Sequence, residues 1–318
     1  MKHHFVINPA AGKGKKIEAL EKEINEICIQ RELDFEIYRT TEPSDATRYV
    51  KSCIEADDAK HRFYACGGDG TFNEVVNGAC LADNAEVALI PIGTGNDFWR
   101  NFTNGESFTD IQKQIDGESV EIDAIAYNDR YCANILNIGF DCDVVKQTTK
   151  FKRRSWVPSK IAYVLGVAVC LFKKFGKKVR IVLDNGDTVE RPILLAACAN
   201  GQYYGGGYNA APIAALNDGL LDLCVVEKVS RFKFLSLVSK YKAGKHLEIK
   251  NVDKIITYTE QKHIKCFFDE ETDFCVDGEI IRGKTLDISI VKNALKFSLP
   301  VGSKIIEKAD RRSEAVPV

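Results

Sequence analysis

Along the first third of the chain, short apolar runs alternate with stretches whose apolar residues recur every third or fourth position. Phe5-Val6-Ile7, Phe35-Glu36-Ile37-Tyr38, Arg62-Phe63-Tyr64-Ala65-Cys66 and Val87-Ala88-Leu89-Ile90 have the length and content of strands. Between them, Ile17, Leu20, Ile24 and Ile27 fall at helical spacing, as do Tyr49, Cys53 and Ile54 less regularly. Strand, helix, strand, helix predicts a parallel sheet covered by helices, with any ligand at the carboxyl ends of the strands.

From about Val120 the rhythm changes. Turn signals at Asn128-Asp129, Asn185-Gly186 and Asp269-Glu270, flanked by alternating runs such as Val179 to Leu183, predict hairpins. Leu220 to Glu227, Phe274 to Ile281 and Leu286 to Val291 continue the strand pattern. Helices are expected at about 158–175 and 231–243. The second part therefore reads as a mostly antiparallel β domain, and the charged tail beyond Lys308 as loose. A chain of 318 residues is comfortable for two such domains.

Composition narrows the possibilities. The apolar fraction of 45% and charged fraction of 28% are those of an ordinary globular protein. A net charge of −1 argues against a general polyanion binder, so no nucleic-acid partner is expected. The 11 cysteines form no C-x-x-C pair and several sit in apolar runs, as free buried cysteines of a reducing compartment do. Met1 to His4 runs straight into a strand-like segment without a secretory leader. The apolar run Ile161 to Phe172 is short of the ~20 residues a bilayer span needs. A cytoplasmic location follows as the expectation.

Four loops carry chemistry. The first, Asn8-Pro9-Ala10-Ala11-Gly12-Lys13-Gly14-Lys15, follows the first strand, and its small residues let backbone N–H groups approach an anion. Its spacing is not that of a Walker A loop. The second, Gly67-Gly68-Asp69-Gly70-Thr71-Phe72-Asn73-Glu74, follows the third strand and opens a helix with Val75, Val76, Ala79 and Cys80 on its apolar side. Its glycines permit positive φ and close approach to phosphate, and Thr71 is placed to cap the helix. Asp69 repels a phosphate unless a divalent cation intervenes or it takes a proton. The third, Pro91-Ile92-Gly93-Thr94-Gly95-Asn96-Asp97-Phe98, again enters a helix, and Asn96 and Asp97 could cap it or bind a substrate hydroxyl. The fourth is Val276-Asp277-Gly278-Glu279, by itself an ordinary β-turn signal.

Together these residues resemble the bacterial diacylglycerol kinase family of lipid kinases, relatives of sphingosine and ceramide kinases. The resemblance rests on Asn8-Pro9 with Gly12, on Gly67 to Thr71 with Asn73-Glu74, and on Pro91 to Phe98. It continues through Asn200-Gly201, Gly205-Gly206-Gly207, Ala211-Pro212, Asp218-Gly219, Leu221-Asp222 and Asp277-Gly278-Glu279. It implies an NAD kinase-like α/β nucleotide domain over residues 1–122, rejoined by a returning segment 297–312. A β-sandwich with the lipid site would span residues 123–296. The implied reaction is transfer of the γ-phosphoryl group of ATP to a lipid hydroxyl, diacylglycerol to phosphatidic acid being the leading case. A NAD kinase or a non-catalytic nucleotide- or lipid-binding regulator on the same fold are the alternatives. No later segment matches the Gly-Ser-Thr-Ala-Tyr of NAD kinases, and Asp69, Asn73 and Glu279 are all present.

Carried over residue by residue, ATP contacts fall on Asn8, Pro9, Ala10, Ala11, Gly12, Thr41, Gly68, Asp69, Gly70, Thr71, Phe72, Asn73, Glu74 and Thr94. Glu279 and Asp69 compete as general base; Glu279 is taken as the base and Asp69 as the carboxylate linked to Mg²⁺. A structural Mg²⁺ falls on Asp218 and the carbonyls of Ala215 and Leu220, where Asn217 replaces the Asp found in many relatives. The resemblance also allows a homodimer. Between Val144 and Leu183 stand 11 Lys/Arg residues and no Asp or Glu, bracketing Ile161 to Phe172 with Trp156 ahead of it. That combination suits peripheral contact of residues 150–180 with an anionic membrane surface, or else a core helix with solvated lysines.

Overall fold

The computed structural model describes residues 1–11, 15–93, 95–152, 159–172 and 176–306. Gly12, Thr94, Arg153, Arg154, Trp156, Lys173, Lys174 and the tail from 307 lie outside the described residues.

The first part is the expected alternation: β1 (Lys2–Ile7), α1 (Lys15–Gln30), β2 (Phe35–Arg39), α2 (Asp45–Ala56), β3 (His61–Gly67), α3 (Asp69–Ala79), β4 (Ala85–Pro91) and the short α4 (Ile111–Ile115). The strands pair in parallel in the order β4-β3-β1-β2. Strands β1, β3 and β4 are buried on both faces, with side chains alternating between two cores as the period of two requires, whereas the edge strand β2 is partly exposed. Val6, Phe63, Ala65, Val87 and Leu89 pack with α2 and α3, whereas Phe5, Ile7, Tyr64, Cys66, Ala88 and Ile90 pack with α1 and α4. The apolar stripe Ile17, Leu20, Ile24 and Ile27 is the buried side of α1.

The second part contains β5 (Glu118–Tyr127), β6 (Arg130–Cys132), β7 (Ile135–Gly139), α5 (Phe140–Lys152), α6 (Ser159–Phe172), β8 (Lys177–Leu183) and β9 (Thr188–Ala199). It continues through β10 (Tyr203–Tyr204), β11 (Tyr208–Asn209), β12 (Leu221–Glu227), α7 (Arg231–Lys242), β13 (Ile256–Gln261), β14 (His263–Val276) and β15 (Glu279–Leu299). Its ladders are antiparallel, and one face of β7, β9, β12 and β14 lines a second core while α5 and α6 cover the other side. All 11 cysteines are free. Among the described residues no helix is long and apolar enough to cross a membrane.

Two strand-and-turn expectations fail. Asp269-Glu270 is no turn: β14 runs through it, with a register shift between Phe267 and Thr272 that accommodates the extra residues as a bulge. Phe274 to Ile281 is not one strand, because the chain reverses at Asp277-Gly278, leaving Val276 paired with Glu279. Helix α5 was not anticipated. The returning segment also begins earlier than residue 297: Leu295, Phe297 and Leu299 all enter the first core, and Phe297 pairs with Val87.

One buried charge in the second part has a pH signature. The Tyr204 hydroxyl donates to Asp141 and also contacts the Tyr241 hydroxyl at 3.4 Å. Burial pushes the Asp141 carboxyl up to about 7, although the Tyr204 hydrogen bond works the other way. An unfolded Asp titrates near ~3.9, so between that pH and about 7 the folded state holds a proton the unfolded chain lacks. The stabilising contribution is complete below the unfolded value and is lost as pH rises through the folded one. Melting temperature is therefore expected to fall as pH rises from about 4 to about 7. Asp141→Asn, which keeps an acceptor for Tyr204 but cannot ionise, is expected to flatten that slope in thermal melts across the range.

Candidate active site

The site is built from the carboxyl ends of β1, β3 and β4. Leaving β1, Asn8 folds the chain back: its Oδ1 accepts from Ala10 N at 2.9 Å and its carbonyl from Ala11 N at 3.0 Å. Its Nδ2 donates to Thr71 Oγ1 at 3.1 Å, tying the first loop to the second. The second and third loops are joined by their backbones, since Ile92 N and Gly93 N both donate to Gly67 O at 3.0 Å.

The glycines serve contact rather than unusual φ. Gly67, Gly68 and Gly70 all lack positive φ, contrary to expectation. A Cβ on Gly93 would lie 2.6 Å from Gly68 Cα, and one on Gly67 2.3 Å from Thr71 Oγ1. Only hydrogen fits there. A Cβ on Gly70 would meet nothing within 4 Å, so the first turn of α3 faces open space. The leading N–H groups of a helix have no intrahelical acceptor and carry the positive end of its dipole, which suits phosphate oxygens. Thr71 does not cap α3: the helix starts at Asp69 with Gly68 as its N-cap, and the Thr71 hydroxyl receives Asn8 instead.

Asp69 straps the third loop to the second. Its Oδ2 accepts from Asn96 N at 2.9 Å and its Oδ1 from Asp97 N at 2.8 Å. Gly95 must be glycine beside it, because a Cβ there would stand 2.4 Å from Asp69 Oδ2. Burial, then the charge of Asp97, push the Asp69 carboxyl up to about 7, against the pull of the Asp97 and Asn96 N–H groups. Burial likewise raises Asp97, whose Oδ2 accepts from Gly206 N at 2.8 Å and whose Oδ1 lies 3.3 Å from Arg100 Nε. Asp97 therefore reaches the glycine turn 205–207 of the second part. The expected helix after the third loop is only a four-residue 3-10 turn, Phe98–Asn101, with no side-chain cap.

A second cluster joins the halves. Buried Asn73, one turn into α3, donates from Nδ2 to Asp277 Oδ2 at 3.2 Å, and Asp277 Oδ1 accepts from Ile135 N at 3.0 Å. Burial raises the Asp277 carboxyl. Asp277 and Gly278 both have positive φ, 44° and 91°, as a two-residue hairpin turn demands. The β-turn reading and the functional one thus describe the same residues: the turn delivers half-buried Glu279. Arg130, at the start of β6, donates from Nη2 to Glu279 Oε2 at 3.1 Å and to Asn73 Oδ1 at 3.4 Å. Asn77 clamps α3 to β6, donating to Tyr131 O and accepting from Tyr131 N, each at 2.9 Å. Neither Arg130 nor Asn77 was singled out from sequence; the only trace was the Asn128-Asp129 turn before the arginine.

Other expected contacts face elsewhere. Glu74 caps α2, accepting from Ser44 N at 2.8 Å and Ala46 N at 3.2 Å. The Phe72 ring stacks on Phe98 in the core, 4.5 Å between centroids, so only its backbone can meet a ligand. Thr41 donates through both N and Oγ1 to Asp45 Oδ2, at 2.8 and 3.0 Å.

For a cation the donors are sparse but present. Among the described residues no three His, Cys, Asp or Glu side chains converge on one point. Nucleotide-bound Mg²⁺ needs only one or two carboxylates beside phosphate and water. Asn96 Oδ1 is buried beside the second and third loops without a hydrogen-bond partner, an unmatched acceptor of the kind that suits a bound cation or donor. At the second place, Asp218 Oδ1 accepts from Leu220 N at 3.0 Å. Next to it Asp123 accepts from Gly219 N at 2.6 Å and Asn293 N at 2.8 Å, its carboxyl raised by burial and further by Asp218. Carboxylates crowded beside a turn with Gly219 in positive φ are compatible with a cation bound through carbonyls.

Residues 2–127 match the diacylglycerol kinase catalytic domain, and residues 134–298 match the YegS C-terminal NAD kinase beta sandwich-like domain. The chain belongs to the diacylglycerol kinase/YegS-like lipid kinase family. Over 283 residues it is 29% identical to the diacylglycerol kinase of Staphylococcus carnosus, covering 86% of this chain and 87% of that one. It is also 29% identical over 291 residues to the Bacillus subtilis diacylglycerol kinase, covering 86% and 88%. A crystal structure of a diacylglycerol kinase from Bacillus anthracis superposes with a TM-score of 0.67 at 24% identity, covering 96% and 98%. An NAD kinase from Archaeoglobus fulgidus in complex with ATP shares the fold with a TM-score of 0.50 at 11% identity, covering 98% and 96%. The two-domain lipid kinase architecture expected from the motifs is therefore the one this family member has.

Proposed function

We propose that the protein transfers the γ-phosphoryl group of ATP to the free hydroxyl of diacylglycerol, giving phosphatidic acid and ADP. The observation that carries this reading is the convergence of two clusters on α3. At its open first turn the glycine loops meet through Asp69, and one turn on, Asn73 and Arg130 bring Glu279 alongside. A phosphate cradle and a half-buried carboxylate on the opposite domain are what transfer to a hydroxyl needs.

In this scheme the α3 N-terminus and the N–H groups of the Asn8 and Gly68 loops hold the triphosphate, and Asp69 keeps the third loop in register. Glu279 takes the proton of the lipid hydroxyl as that oxygen bonds to the γ-phosphorus and the bond to the β–γ bridging oxygen breaks. Mg²⁺, held beside Asp69, Asn96 and Asp97, would neutralise phosphate charge. Arg130 keeps the Glu279 carboxylate oriented. Positioning and charge neutralisation supply most of the acceleration in such reactions.

The test is ATP consumption in mixed micelles against diacylglycerol, monoacylglycerol, a sphingoid base, a polyprenol and NAD, with Asp69→Ala as the blank. Diacylglycerol is expected to give the highest kcat/KM. Phosphorylation of NAD alone would return the protein to the NAD kinase alternative. Consumption with no acceptor above the blank would leave a nucleotide- or lipid-binding regulator.

A further inference from the structure

Helix α7 carries more apolar side chains than it buries. It carries Phe232, Phe234, Leu235, Leu237 and Val238, yet its only buried residue is Tyr241. Phe232 is 87% exposed and Leu235 53%. The inner side is used, since Phe234 packs edge-on to Phe140 at 4.9 Å between centroids and Tyr241 meets the Tyr204 hydroxyl. The outer side is bare. Around it stand Arg231, Lys233, Lys240 and Lys242, and the helix has no acidic residue. At its start Arg231 Nε donates to Leu171 O at 2.5 Å, placing α7 against the end of α6. That helix also lacks acidic residues and exposes Ile161 and Leu165 one turn apart.

We infer that the bare side of α7, with α6 beside it, docks on an anionic bilayer surface. Phe232 and Leu235 enter the acyl boundary, and Lys233 and Lys240 meet the head groups, Arg231 being held by Leu171 O and Lys242 lying over the Tyr208 ring. An apolar strip flanked only by cations matches an interface that is apolar below and anionic above. A second copy of the chain is the poorer occupant, because a two-fold contact would set these cations against themselves. The inner side of α7 is linked toward the site: Tyr241 touches Tyr204 of β10, and Gly206 in the turn after β10 donates to Asp97. The inference names where the lipid kinase proposed above would meet its membrane and rests on that reading for its purpose, though not for its geometry.

The test is co-sedimentation of the full chain with vesicles of phosphatidylglycerol and phosphatidylcholine, compared with phosphatidylcholine alone. Wild type is expected to bind the anionic vesicles and to be released by salt. Phe232→Ser/Leu235→Ser should weaken partitioning by about tenfold or more, and Lys233→Gln/Lys240→Gln by about thirtyfold. Both sites are exposed, so thermal melts should match wild type and report on folding separately. Binding by either variant equal to wild type would overturn the inference. So would dimers in sedimentation velocity that Phe232→Ser/Leu235→Ser dissociates while vesicle binding stays intact, since that would make the face a contact between copies. Because the readout is binding and not turnover, its failure is distinguishable from failure of the kinase reading.

Discussion

Asp69→Ala is expected to lower kcat/KM for phosphoryl transfer by about 10²-fold or more, because loops displaced by ~1 Å can cost that much. The side chain accepts the N–H groups of Asn96 and Asp97, and those bonds hold the third loop on the second. Alanine leaves both donors without their acceptor, at ~1–3 kcal/mol each where they are buried. It also removes the neighbour that fixes Asp97, and through Asp97 the tie to Gly206. Asp69→Asn keeps one acceptor and should fall between alanine and wild type. Steady-state kinetics paired with thermal melts check this: full turnover in the alanine variant would mean that the Gly67 carbonyl bonds alone hold the loops.

Glu279→Gln is expected to lower kcat by about 10²–10⁴-fold, the usual contribution of a general base, with little change in KM for ATP. The two side chains have nearly the same shape, and the amide oxygen can still face Arg130, so the loss should be chemical and not structural. The rival base, Asp69, has both oxygens committed to backbone N–H groups. Single-turnover measurements of the variant decide the matter. A rate close to wild type would remove Glu279 from the role and return it to Asp69.

How much was legible depended on the range of the signal. The alternation of apolar residues in β1, β3 and β4 is local, and it gave a parallel sheet with both faces covered. Glycines at strand ends are local too, so all four loops could be found. What Asp69 binds could not be, because its partners 27 and 28 residues away are brought over only by the β3–β4 pairing. Arg130 was invisible for the same reason: nothing near a lone arginine after a turn says that it meets Glu279, 149 residues on. Asp269-Glu270 misled because polar residues mark a bulge as well as a turn. In α7 the helix was readable, but which of its apolar residues lack a cover was not.

Strand β15 belongs to two cores. Leu286 and Ile288 lie in that of the second part, whereas Leu295, Phe297 and Leu299 lie in that of the first. The Phe297 ring closes a cluster in which Phe98 and Phe102 sit 5.2 and 5.1 Å away. A chain leaving the ribosome therefore exposes β1 to β4 and their helices early, yet cannot seal that core until nearly all of the second part has followed. The usual order, in which an amino-terminal domain folds first and alone, is closed to this protein. The first half must wait, its aromatic residues uncovered, for β15 to be synthesised.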